Sequence, residues 1–217
     1  MPEAEPILLT RIEAGVATLT LNRPEAHNTL SVALLTELER TLATLAVDRA
    51  VKVVVLAANG RAFCAGYDVR EMCTLEGRAP VAALFALCAR VMTAIVRLPQ
   101  PVIAKVHGAA AAAGCQLVAS CDLAYASTTA RFATPGINLG LFCSTPGVAL
   151  ARAVGRKDVA PSPHWQKVVA DSIIPMAGAR YRGQIAASKT RPITARTTLR
   201  SALMSPPSPA PRPAYRA

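Results

Sequence analysis

Apolar positions along the first 150 residues change period several times, and each change marks an element. Ile7–Glu13 and Val16–Leu21 alternate on either side of Ala14-Gly15, which predicts a β-hairpin. From Ser31 to Val47 the leucines at 34, 35, 38, 42 and 45 follow a helical spacing, with Ser31 placed to cap the helix. Val51–Ala57 is almost continuously apolar, the pattern of a strand covered on both faces. The helical period returns over Pro80–Leu98 through Leu84, Leu87, Cys88, Val91, Ile95 and Leu98. A strand at Pro101–Val106, a small-residue helix at Ala111–Ser120, a short strand at Asp122–Ala126 and a helix in STPGVALARAV complete the series. Strand–helix–strand alternation predicts an α/β fold of right-handed βαβ units.

Beyond Val154 the periodicity stops. The net charge of +11 belongs mainly to this end. Residues 155–217 hold 11 Lys/Arg against Asp158 and Asp171, together with 9 of the 17 prolines. Residues 1–154 carry a balance of only +2. Ala160–Ala170 allows at most a short helix, and Thr190–Ala217 has the composition of a disordered segment. The expected organisation is therefore a folded domain at 1–157 and a basic, Pro-rich tail at 158–217. Two accounts fit the tail: a native divergent extension, or an out-of-frame reading beginning near Gly155–Asp158. Its charge permits phosphate contacts. It has no RGG repeat, interleaved aromatics or amphipathic face, so no specific nucleic-acid partner is expected.

Hydrophobic residues make up 52% of the chain and aromatics 4%, so Ala and Val fill much of the core. No stretch of 18 uninterrupted apolar residues occurs, and the acidic MPEAEPILLT start lacks a signal-type apolar core. A cytoplasmic protein without a membrane role is the expectation. The six cysteines, Cys64, Cys73, Cys88, Cys115, Cys121 and Cys143, show no CxxC or Cys/His spacing, which predicts buried free thiols and no metal site.

Two small-residue loops hold the candidate chemistry: RAFCAGYD at Arg61–Asp68 and AAAAAGCQ at Ala109–Gln116. Each follows a β-branched run, and a helix opening at such a loop turns unpaired N–H groups outward. Two loops on neighbouring strands can aim two such donors at one oxygen, the arrangement of an oxyanion hole. The same spacing also suits ordinary βα turns packed with small residues.

NRPEAHNTLS at Asn22–Ser31, RAFCAGYDVREM, KVHGAAAAAGCQLVASCDLAYAS and RFATPGINLG resemble, in order and spacing, the enoyl-CoA hydratase/isomerase (crotonase) superfamily. The run GCQLVASCDLAYAS…FATPGINLGLFCSTPGVALARAV looks like its enoyl-CoA hydratase-domain-containing branch. The resemblance spans about residues 7–157. It implies a spiral of ββα units, with the usual C-terminal helical region truncated or divergent here, and homotrimers or hexamers. It also implies an acyl-CoA substrate, with coenzyme A belonging to the substrate and no separate cofactor.

In this family a thioester carbonyl sits between two backbone N–H groups, which match Tyr67 and Ala113 here. Ala113 lies near the start of the expected Ala111–Ser120 helix, whose dipole would favour the same negative charge. The glutamate pair of the family's hydratases falls on Gln116 and Gly136. Gln moves no proton at neutral pH and Gly has no side chain, so hydration should be feeble. Other groups have two readings each. Asp68 suits a base or a loop cap, and Tyr67 a substrate contact or rim packing. Ser144 falls where some isomerases of the family carry an aspartate, or caps its helix. Cys143 suits a nucleophile or a buried thiol, and Asn138 a ligand contact or a turn. His27 and His107 are lone turn histidines. The resemblance assigns the coenzyme A path to Glu25, Ala26 and His27 with Ala62 through Ala65, and Arg70 to a phosphate contact or an exposed helix face.

Overall fold

The hairpin expected from the alternating N-terminal pattern forms as β1 (Leu8–Glu13) paired antiparallel with β2 (Val16–Leu21), in a computed structural model that describes residues 5–136 and 143–153. Val16 to Leu21 bury every second residue, so Ala17, Leu19 and Leu21 face the core. Helix α1 (Val32–Val47) starts where Ser31 accepts a hydrogen bond from the Leu34 N–H at 3.2 Å. Its buried stripe is Leu34, Leu35, Leu38, Thr41, Leu42 and Leu45.

Strand β3 (Val53–Ala58) lies parallel to β2, and β4 (Val102–Val106) parallel to β3. Between them run a single helical turn, α2 (Val69–Met72), and the long helix α3 (Arg78–Arg97). The chain continues through β5 (Ala109–Ala111), α4 (Ala113–Ala119), β6 (Leu123–Ala126), β7 (Arg131–Ala133) and α5 (Ser144–Ala153). The larger sheet has the order β1-β2-β3-β4-β6, and β5 pairs parallel with β7 in a second, two-stranded sheet.

The repeating unit explains the two sheets. β4, β5 and α4 form one turn of a spiral, and β6, β7 and α5 form the next. Each turn places one strand in the larger sheet, a three-residue strand in the smaller one, and then a helix. The preceding turn joins the same ladder through one residue: Cys64 bridges Ala110, its N–H donating to Ala109 at 3.1 Å and its carbonyl accepting from Ala111 at 2.9 Å.

Several expectations need correction. Ala111–Ser120 is not one helix: Ala109–Ala111 is strand β5, and α4 has only seven residues. β3 is not covered on both faces, because Val54 and Leu56 are buried while their neighbours are half-buried. Among the cysteines, Cys64, Cys88 and Cys115 are buried as expected, but Cys73 is exposed. Helix α3 is long and apolar enough to cross a membrane by length and composition. It nevertheless buries Leu84, Leu87, Cys88, Val91, Met92 and Ile95 in the core shared with the α1 leucines. The 157/158 boundary, the tail and Asn138 lie outside the described residues.

Candidate functional site

The two small-residue loops meet. Gly66 turns the first with φ +103°, and a Cβ built on it would stand 3.0 Å from Ala112 Cβ, 3.1 Å from the Ala111 carbonyl oxygen and 3.4 Å from the Ala113 nitrogen. Only a residue without a side chain allows that approach. Gly114 makes the reciprocal contact, since a Cβ there would overlap the Cys64 carbonyl. Tyr67, next after Gly66, is therefore a neighbour of Ala113. Tyr67 bridges Leu30, where Leu30 donates to Gly66 at 2.8 Å and Asp68 donates to Leu30 at 3.3 Å, and among the described residues the Tyr67 N–H donates no hydrogen bond. Ala113 is the first residue of α4, so its N–H has no partner within the helix. Among the described residues, neither of these N–H groups makes a hydrogen bond.

Ala112, between the β5 strand and α4, has φ +49° and ψ −119°, a backbone conformation that suits Gly. It is held there by its N–H bond to the Ala133 carbonyl at 2.8 Å. The short α4 leaves little macrodipole to add to the charge stabilisation expected at Ala113.

The expected acid/base positions, Gln116 and Gly136, carry no ionisable side chain. Gln116 is buried in α4, one turn beyond Ala112, whose carbonyl accepts from its N–H at 3.1 Å. Gly136 lies in a 3-10 turn after β7. Asp68 resolves into the capping role. Its carboxylate accepts from the Glu71 N–H at 3.3 Å, from Thr29 at 3.1 Å and from Arg23 at 3.0 Å. Burial pushes its pKa up, but the Glu71, Arg23 and Thr29 hydrogen bonds and the Arg23 charge outweigh that and hold it below the ordinary value. A paired carboxylate of this kind is a poor general base.

Tyr67 resolves toward packing. Its ring meets Phe85 edge-on, with centroids 5.1 Å apart and planes at 83°. Burial first, and then the neighbouring Cys88 thiol, push the phenol pKa up, so it stays protonated. Burial likewise drives the Cys115 thiol up to about 12, with Cys143 adding to it. Cys143 is half-buried just ahead of α5, where its carbonyl accepts from the Gly147 N–H at 2.9 Å. Ser144 opens α5 and is exposed.

The segments assigned to the coenzyme A path do come together. Pro24–Ala26 forms a 3-10 turn that leaves through His27 in the left-handed region, and the Ala65 N–H donates to the His27 carbonyl at 3.1 Å. Asn28 is fully buried and donates to the Asn59 and Ala62 carbonyls at 2.8 and 2.9 Å, tying the two loops. His107 meets the Gly60 carbonyl at 2.8 Å, which is a structural tie. Glu25 and Arg70 are exposed.

Sequence reasoning missed Arg23, which secures Asp68, and Thr134, which is 2% exposed beside the Ala112–Ala133 bond. Arg23 was legible in the NRPEAHN motif, whereas nothing in the text marked a lone Thr after a three-residue strand. Among the described residues, no three His, Cys, Asp or Glu side chains gather as metal ligands.

The enoyl-CoA hydratase/isomerase family pattern matches residues 11–161. A mitochondrial enoyl-CoA hydratase domain-containing protein 3 from Xenopus laevis is 46% identical over 152 residues, 70% of this chain and 52% of the relative. The human protein of that name is 50% identical over 143 residues, 66% of this chain and 47% of the relative. The crystal structure of an enoyl-CoA hydratase from Mycobacterium smegmatis superposes with a TM-score of 0.69 at 62% identity, covering 71% of this chain and 61% of that one. The chain spans about half the length of the curated relatives it matches.

These relatives overturn the expected cytoplasmic location, because the frog, human and rat proteins are named as mitochondrial. That expectation rested on a missing apolar core at the N-terminus, which is a mark of secretion. Mitochondrial import segments are amphipathic and Arg-rich instead, a feature the apolar test does not address. The match over most of the chain, with the ββα spiral beneath it, makes this protein a member of the enoyl-CoA hydratase/isomerase family, on its enoyl-CoA hydratase domain-containing branch.

Proposed function

We propose that the chain binds an acyl-CoA thioester with its carbonyl oxygen between the Tyr67 and Ala113 N–H groups, and hydrates 2-enoyl thioesters poorly or not at all. The observation that carries this reading is a pair of N–H groups, on two loops in direct contact, that donate no hydrogen bond among the described residues. Donors fixed by the backbone stabilise an enolate oxygen as its charge develops, and one such donor is typically worth about 10²–10³ in rate. Coenzyme A would follow the path between Glu25–His27 and Ala62–Ala65, with Arg70 meeting a phosphate. Ser144, at the start of α5 where some isomerases of the family carry an aspartate, is a weaker catalytic candidate.

Proton transfer is the weak link in this reading. Gln116 and Gly136 offer no acid or base, Asp68 is engaged as a cap, and Tyr67 is held protonated. A positioned general acid or base with a pKa near neutral supplies about 10²–10⁴ in rate, and none of these groups is poised to do so. The alternative reading is a non-catalytic acyl-CoA binder, which uses the same hole. No cofactor is invoked beyond the coenzyme A of the ligand. Assembly into trimers or hexamers is part of the proposal.

Thermal denaturation of the full chain with and without butyryl-CoA tests binding. A thioester at a hundred times its Kd should add about 2.7 kcal/mol of stability. A melting point that does not move with any thioester rejects the reading.

A further inference from the structure

Among the described residues, Ala14, His27, Asn28 and Ala112 are the non-glycine residues with positive φ. Ala14 shares the hairpin turn with Gly15, and His27, at ψ 32°, is an ordinary left-handed residue at the end of the Pro24–Ala26 turn. Ala112 is different. Its φ of +49° goes with ψ −119°, well outside the left-handed helical region, and glycine would adopt this conformation freely. A side chain kept at such a position beside a ligand site points from the outlier to a role for that side chain.

The place of the methyl group indicates the role. Gly66 and Ala112 each stand one residue ahead of a proposed donor, so the Tyr67 and Ala113 N–H groups belong to the peptides that follow them. A Cβ built on Gly66 would lie 3.0 Å from the Ala112 methyl, so that methyl packs directly on the Gly66 backbone. Both donor loops are also anchored away from this contact. Leu30 donates to the Gly66 carbonyl at 2.8 Å, and Ala112 donates to the Ala133 carbonyl at 2.8 Å.

We propose that the Ala112 methyl is a spacer that sets the separation of the Tyr67 and Ala113 N–H groups, making Ala112 a positioning residue of the oxyanion hole. The proposal rests on the thioester-binding reading above. Preorganised donors polarise a carbonyl only while they are held at hydrogen-bond distance from its oxygen. Glycine at 112 relieves the backbone but leaves a methyl-sized gap against Gly66 and frees the turn, so the donors lose their fixed spacing. Stability and carbonyl polarisation should therefore move in opposite directions, whereas a merely structural residue would move them together.

The test is difference infrared spectroscopy of the full chain saturated with butyryl-CoA isotopically labelled at its carbonyl carbon, with urea titrations alongside. In the wild type the bound carbonyl band should lie at lower frequency than in free butyryl-CoA. Ala112→Gly should raise the urea midpoint and lose most of that displacement, while Ala112→Ser, which keeps the Cβ, should retain it. A wild-type displacement in Ala112→Gly, or its loss in Ala112→Ser as well, overturns the spacer and leaves the oxyanion hole standing. A lower urea midpoint for Ala112→Gly also overturns it, because the methyl would then serve stability. An undisplaced band in the saturated wild type, or no binding, overturns the oxyanion-hole reading and the spacer with it.

Discussion

Gly66 and Ala112 press against each other at the closest approach of the two site loops, and they have opposite conformational fit. Gly66 uses its missing side chain, since φ +103° and the neighbouring Ala112 methyl both exclude one. Gly66→Ala should cost about 1–3 kcal/mol in a denaturant titration and weaken thioester binding by moving Tyr67 from Ala113. Ala112 holds a Gly-like conformation at φ +49°. Ala112→Gly should therefore raise stability by roughly 1 kcal/mol, read as a higher urea midpoint at unchanged slope. Asp68 sets a pH dependence. Its folded pKa lies below the unfolded one, so its contribution is complete above the unfolded carboxylate range and is lost as pH falls through the folded value. Acidification from pH 6 toward pH 3 should destabilise the wild type more than Asp68→Asn, measured by urea midpoints at each pH. A parallel decline in the two proteins would remove Asp68 from the account.

Elements with a long, regular period were plain in the chain: both hairpin strands, α1, α3 and β4 fall within two residues of their expected positions. Ser31 was legible as a cap because Ser before a leucine stripe can satisfy an orphan N–H. Ser31→Ala should cost about 0.5–2 kcal/mol in a denaturant titration, since the hydroxyl and the Leu34 N–H are buried together. The three-residue strands were not legible. β5 reads as Ala-Ala-Ala, which favours a helix by propensity, yet its pairing with β7 and its bridge to Cys64 fix it as a strand. That error lengthened the expected α4 and overstated its dipole. The contact between Gly66 and Ala112–Ala113 was foreseen as two loops on neighbouring strands, because parallel β3 and β4 bring their following loops to one end of the sheet.

At the scale of the molecule, the ββα spiral stacks strand upon strand so that successive loops accumulate beside one another. The small residues at 62–66 and 109–114 are the consequence: each turn packs its loop backbone directly on the next. The close approach of the two loops could be inferred from text because backbone placement follows from loop position. Thr134 and the Arg23–Asp68 pair could not, since they depend on which side chains the stacked turns bring together. The central claim is a working oxyanion hole without a proton-transfer pair. The measurement that tests it most directly is a titration of the full chain with crotonyl-CoA in which heat and enoyl absorbance are followed together. Saturable binding with the enoyl absorbance essentially unchanged is the predicted result. Rapid loss of that absorbance, or no binding heat at all, would contradict it.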